Sequence, residues 1–236
     1  MIRDMADPHR DNRGAGGNGS RSFASGASGY LATEACSSPG AGLALRDDAG
    51  VLADIMLDDI QVAVWDRACP LDEGVVARAC EAQLAVKSWL DITGLEASLR
   101  RCLPGEDYAG LREDLGLLVD MTACLFGVSG VGVRVTALQK PMCPRFHVDR
   151  IPVRLLCTYG GVGSQWLPVS EVPGGLLIPG AKQDGRYRPE TVQQLQAGQV
   201  ALFKGDTWRD NPGQGVVHRS PPMSPGQQRL LVTLDI

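Results

Sequence analysis

Three histidines occur in the 236 residues, His9, His147 and His218. His9 lies in a stretch with few large apolar side chains, so the part of the chain that should fold holds two. In the run "CPRFHVDRIP", residues 143–152, Asp149 follows His147 by two places. Side chains at i and i+2 of an extended chain point to the same side, so this imidazole and this carboxylate can converge on one ion. His218, in "VVHRSPP", is the remaining imidazole that could complete the set. Two histidines and one carboxylate on one face of an octahedron leave positions open for dioxygen and a chelating co-substrate, which is the ligand set of non-haem Fe(II) oxygenases. Arg229 opens the last strand-like run and offers a planar guanidinium for the far carboxylate of such a co-substrate. Without a metal the same residues read differently. Asp149 then orients an imidazole or caps a turn, and Arg229 pairs with Asp235 or with a carboxylate on a neighbouring strand.

These side chains need elements to position them. After Gly130 the apolar spacing changes from near 3.6 to near 2, and the runs "VGVRVTALQ", "VRLLCTY", "GGLLIP", "QVALFKG", "GVVHRS" and "RLLVTLDI" read as strands separated by Gly, Pro and Asp turn signals. So many short strands suggest an antiparallel barrel or a double-sheet jelly roll. Upstream, after a strand at "IQVAVW", the spacing is mainly helical. Val75, Ala79, Ala82, Val86 and Trp89 form one stripe in "EGVVARACEAQLAVKSWL", and Leu111, Leu115, Leu118, Thr122 and Leu125 form another that stops at Gly127. The fold class expected is α+β, with N-terminal helices packed on a C-terminal double-stranded β-helix. Residues 51–236 form a single domain, mainly helical over 51–130 and jelly roll over 131–236. Residues 1–28, rich in Gly, Ser, Asn and Arg, read as a disordered tail that cannot offset its own ordering entropy.

Composition narrows the function classes. A net charge of -4 with no basic run argues against a nucleic-acid or acidic-membrane partner, since phosphate affinity comes from clustered Lys and Arg. There is no uninterrupted apolar run of about 18 residues and no signal-peptide core, which makes the cytoplasm the expected compartment. Seven cysteines without close pairing read as buried hydrophobes rather than a disulfide framework. A serine or cysteine hydrolase would need a nucleophile elbow such as Gly-x-Ser-x-Gly, and no phosphate-cradling glycine loop is present either. Tyr159 and Trp166 could line a pocket mouth, although plain core is the simpler reading. Arg150 is expected at the cavity rim, Arg154 in an ion pair, and Lys204 on the solvated surface.

The order His147-x-Asp149, His218, Arg229 in a strand-rich half resembles the double-stranded β-helix of 2-oxoglutarate-dependent dioxygenases. More closely, "CPRFHVDRIPVRLLCTYGGVGSQWLP" with "VALFKG", "VHRSPP" and "QRLLVTLDI" is similar to the bacterial family called domain of unknown function 1826 over roughly residues 55 to 236. That family resemblance implies a soluble bacterial protein with a link to zinc homeostasis and brings no established activity. The dioxygenase resemblance implies Fe(II) and 2-oxoglutarate as cofactors, Arg229 as the 2-oxoglutarate anchor, and a substrate that is left open. Cys143 marks a departure from it. Should its thiolate join His147, Asp149 and His218, four protein ligands would close a tetrahedron around structural Zn(II) and leave no room for turnover.

Overall fold

Alternation of polar and apolar residues builds most of this protein, and two sheets result. The computed structural model describes residues 42–209 and 213–236, which all fall in one compact unit, Ser37–Ile236. The expected tail at 1–28 lies outside the described residues. In chain order come β1 (Leu43–Arg46), a 3-10 turn (Ala49–Met56), β2 (Val62–Trp65), α1 (Glu73–Glu81), β3 (Ala85–Asp91), α2 (Leu95–Cys102) and α3 (Ala109–Phe126). The rest is β4 (Gly130–Leu138), β5 (Val153–Gly160), β6 (Gln165–Leu167), β7 (Gln193–Gln194), β8 (Val200–Lys204), β9 (Val217–Arg219) and β10 (Arg229–Asp235). Seven strands form the larger sheet in the order β1-β2-β8-β5-β10-β4-β3, antiparallel except between β1 and β2. The smaller sheet has the order β7-β6-β9.

Each strand of the larger sheet sends alternate residues to opposite faces. Val131, Val133 and Val135 of β4, Leu155 and Cys157 of β5, and Leu230, Val232 and Leu234 of β10 join Leu111, Leu115 and Leu118 of α3 in one core. On the other face Val62, Val64, Leu156, Ala201 and Phe203 pack against Trp166, Leu195 and Val216 in a second core. One face of the larger sheet is therefore covered by helices and the other by the smaller sheet, as each apolar face requires. No helix among the described residues is long and apolar enough to cross a membrane.

Two expectations need correction. The stripe from Val75 to Trp89 is not one helix. Asp72 caps α1 by accepting from the Val75 amide at 2.9 Å, Gln83 takes a φ of 49°, and the chain turns out of the helix into β3. There Ala85, Lys87 and Trp89 are exposed while Leu90 is buried. The part from 51 to 130 thus contributes β3 to the larger sheet besides the expected β2. "GGLLIP" is not a strand either. It is a series of turns that drops Leu176, fully buried, into a small third core with Phe146, Leu167 and Val217.

Candidate metal centre

His147 and His218 face each other across a backbone bridge. His147 N donates to His218 O at 3.0 Å and His218 N donates to His147 O at 2.9 Å, so the two form a directly opposed antiparallel pair beside β9. Val148 turns the other way and packs on the third core. The chain alternation then returns Asp149 to the side of His147, as the i, i+2 spacing predicts. Asp149 lies 3.6 Å from His147 Nε2 through Oδ1 and 3.3 Å from His218 Nε2 through Oδ2. One ligand atom from each of the three residues lies within 4.8 Å of the others.

The imidazoles are held in a definite tautomer. Nδ1 of His147 meets Arg145 O at 2.9 Å, and Nδ1 of His218 meets Val216 O at 3.0 Å. A carbonyl can only accept, so each Nδ1 carries the proton and donates it, which leaves each Nε2 for a metal. Asp149 is fixed from behind. Arg154 donates from Nη1 to Asp149 Oδ2 at 2.6 Å and grips Asp235 with Nε and Nη2 at 2.6 and 2.9 Å. Burial alone would push the Asp149 carboxyl up. The hydrogen bond and charge that His218 supplies when protonated, then the charges of Arg154 and of protonated His147, outweigh it and hold the pKa at about 2. Burial, followed by repulsion from His218, lowers the pKa of His147 below the ordinary histidine value. Both shifts favour the metal-binding protonation states at neutral pH.

The loop carrying Asp149 is pinned by close backbone approach at Gly205, whose amide donates to Pro152 O at 2.8 Å while the Asp206 amide donates to Asp149 O at 2.8 Å. A Cβ on Gly205 would lie 1.9 Å from Ile151 O and 2.9 Å from Asp149 O, so no other residue fits without displacing that loop.

Arg229 is fully buried, at 0% exposure. Its Nη2 reaches Thr158 Oγ1 and Ser164 Oγ at 3.4 Å each, while Nε and Nη1 have no hydrogen-bond partner among the described residues. Burial lowers its pKa to about 10. Asp235, the alternative partner, is taken by Arg154 and, at 3.5 Å, by Arg134. Ser164, which the guanidinium reaches, also lines a cavity of about 60 Å³ together with His147, His218, Arg134 and Thr233.

The remaining site candidates divide. Cys143 is exposed and lies outside the three-residue ligand cluster, although it lines the same small cavity as His147 and His218. Its backbone pairs instead with Ser220, which donates to Cys143 O at 2.8 Å. Arg154 makes the expected ion pair and Arg150 is exposed. Tyr159 lies on the helix face, donating to Asp114 at 2.6 Å, whereas Trp166, intersheet core beside His218, also lines a separate cavity of about 440 Å³ with Gln61 and Glu171. Lys204 corrects an expectation, because it is buried at 1% with Nζ donating to Leu57 O at 2.7 Å beneath Trp208. The roles of Thr158, Ser164 and Arg134 were missed. A signal existed in polar residues at alternate positions of "VGVRVTAL" and "VRLLCTYG", all facing the smaller sheet.

A model of the family described as "Protein of unknown function (DUF1826)" matches residues 46–235. The chain belongs to that family. No curated protein matches this DUF1826 chain. Among solved structures, it is similar to a dioxygenase for auxin oxidation from rice at 13% identity and a TM-score of 0.44, over 83% of this chain and 82% of that one. A Pseudomonas putida prolyl-4-hydroxylase gives 16% identity and 0.38, covering 79% and 96%. A 2OG-Fe(II) oxygenase family oxidoreductase from Burkholderia pseudomallei gives 13% and 0.38, covering 83% and 94%. TM-scores this low leave the chain's own side chains to decide its chemistry.

Proposed function

We propose that this DUF1826 protein is a non-haem Fe(II)- and 2-oxo-acid-dependent oxygenase whose two sheets form a double-stranded β-helix. The observation that carries the reading is the pairing of an open three-ligand cluster with a buried, uncompensated guanidinium. Ligands about 2.1 Å from an ion and at right angles to one another sit roughly 3 Å apart, close to the 3.3 and 3.6 Å separations of Asp149 from the two imidazoles. His147, Asp149 and His218 would hold the metal. Arg229 would hold the far carboxylate of 2-oxoglutarate, satisfying donors that no described residue satisfies, since a buried charge without a partner is costly. When bound, Fe(II) and the 2-oxo acid supply a coupled oxidation, in which dioxygen decarboxylates the acid and places its second oxygen atom on the substrate.

The chain's own residues contribute preorganisation. Arg145 O and Val216 O fix the imidazoles, Arg154 fixes the carboxylate, and Thr158 and Ser164 steer the guanidinium. The cavity beside the triad has room for about two waters, so seating a five-carbon diacid has to displace lining side chains. A closed zinc site is the less favoured reading, because Cys143 is absent from the cluster.

Anaerobic titration tests the proposal. Fe(II) and 2-oxoglutarate together should give the weak visible band of a chelated keto acid, and His147→Ala and His218→Ala should each lose stoichiometric metal while circular dichroism stays native. Full metal content in both variants places the ion elsewhere and sinks the reading. So does a wild-type protein that holds Zn(II), never gives the band, and loses its zinc in Cys143→Ser.

A further inference from the structure

Beside the triad the larger sheet carries a second depression that the oxygenase reading leaves unassigned. It has a volume of about 360 Å³ and lies over the β3–β4 edge, lined by Lys87, Trp89, Gly132, Arg134 and Asp235 among others. Arg134 also lines the cavity that touches His147 and His218, so the two spaces share a wall. Three independent features point to a ligand. Lys87 and Arg134 are directly opposed partners across the antiparallel pair, and like charges in that relation are destabilising. Little offsets them within the protein. No ion pair joins Lys87 to a described residue. The pair from Arg134 to Asp235 is 3.5 Å long and shares a carboxylate that Arg154 already grips with two nitrogens. Second, Trp89 is 60% exposed, the most exposed large hydrophobic among the described residues. Its indole is steadied by a 3.1 Å hydrogen bond from Nε1 to Asp91. Third, the floor between these side chains is Gly132, where a Cβ would meet nothing closer than 3.6 Å. Strand packing does not demand glycine there, and the missing side chain keeps the depression open.

We propose that this groove is the substrate site and takes an organic acid, with a flat apolar body lying on Trp89 and its carboxylate held between Lys87 and Arg134. Aromatic faces supply sequestered apolar area, and a guanidinium beside an ammonium supplies charge-assisted hydrogen bonds. The word substrate rests on the oxygenase reading, whereas recognition of the acid does not. The chain as a whole is acidic at -4, so the local pair of cations would draw an anion to the triad's door against the net charge.

Calorimetric titration of the full-length, metal-free protein tests this with 2-naphthoate and its neutral counterpart 2-naphthamide. The acid should bind at least about ten-fold more tightly than the amide. Lys87→Gln and Arg134→Gln should each weaken the acid about ten-fold and leave the amide unchanged. Trp89→Ala should weaken both alike, and Gly132→Val, compatible with a strand, should fill the groove and abolish both. Equal affinity for acid and amide overturns the proposal, as does failure of either compound to bind at millimolar concentration. It is also overturned if Arg229→Met removes acid binding while Lys87→Gln and Arg134→Gln do not, since the acid would then sit in the keto-acid subsite. If metal never binds but acid affinity still depends on Lys87 and Arg134, the oxygenase reading falls and the acid site stands.

Discussion

Burying a guanidinium with two nitrogens unbonded among the described residues, as at Arg229, costs stability that a bound anion would return. The pKa lowered to about 10 expresses this. Between pH 10 and the ordinary value of 12.5 the unfolded chain keeps a proton that the folded chain has released, so stability rises with pH across that window. At neutral pH the full cost of the charged form is present. Arg229→Met should therefore raise the thermal midpoint of the ligand-free protein, with a gain on the order of 1 kcal/mol. 2-Oxoglutarate with Zn(II) should raise the midpoint of the wild type and not of the variant. Differential scanning calorimetry reads both effects, and a destabilised Arg229→Met would show that the arginine has a structural partner after all. Here the sequence was informative up to a point. That His147, Asp149 and His218 come together was legible from residue type, strand period and a scarcity of histidine, and Arg229 was singled out by its place at the start of the last strand. Whether Arg229 meets Asp235 depends on which arginine reaches that aspartate first, and Arg154 does so from a neighbouring strand that no local pattern connects to it.

At the scale of elements, the loop between the Asp149 carboxylate and β5 is set by β8, through Gly205. Gly205→Ala should shift Asp149 while the sheets persist, because the clash at 1.9 Å falls on Ile151 O and not on the core. Metal affinity should drop by about 10 to 100 fold, the usual scale for disturbing the support of a ligand, with far-ultraviolet dichroism unchanged. Unaltered affinity would mean that the loop adapts freely. The strands β4, β5, β8, β9 and β10 were readable from alternation, and α3 from its leucine stripe and the Gly127 stop. β3 was not, because Val86 and Trp89 happen to continue the helical stripe of Val75, Ala79 and Ala82. Pairing with β4 overrides that local pattern, and only long-range hydrogen bonding distinguishes the two. "GGLLIP" failed for the opposite reason, since an apolar run of that length fits a strand or a buried turn equally well.

The whole molecule places its chemistry between two layers, with helices closing the other face of the larger sheet. Composition described that molecule only on average, as its acidic net charge conceals the opposed cations Lys87 and Arg134. The two histidines of the triad come from distant points in the chain and meet through a reciprocal pair of backbone hydrogen bonds. Such a ring closes only when β9 has docked, so the bare chain carries no pocket that could capture an ion during synthesis. Stopped-flow measurements should find the refolding rate indifferent to metal in the buffer, while unfolding of the loaded protein is slower than that of the metal-free form. Accelerated refolding with metal present would mean that the ion nucleates the fold. With folding first and loading second, a protein that works as proposed would meet its ion in open competition, and the metal recovered with it would record the pool in which it matured.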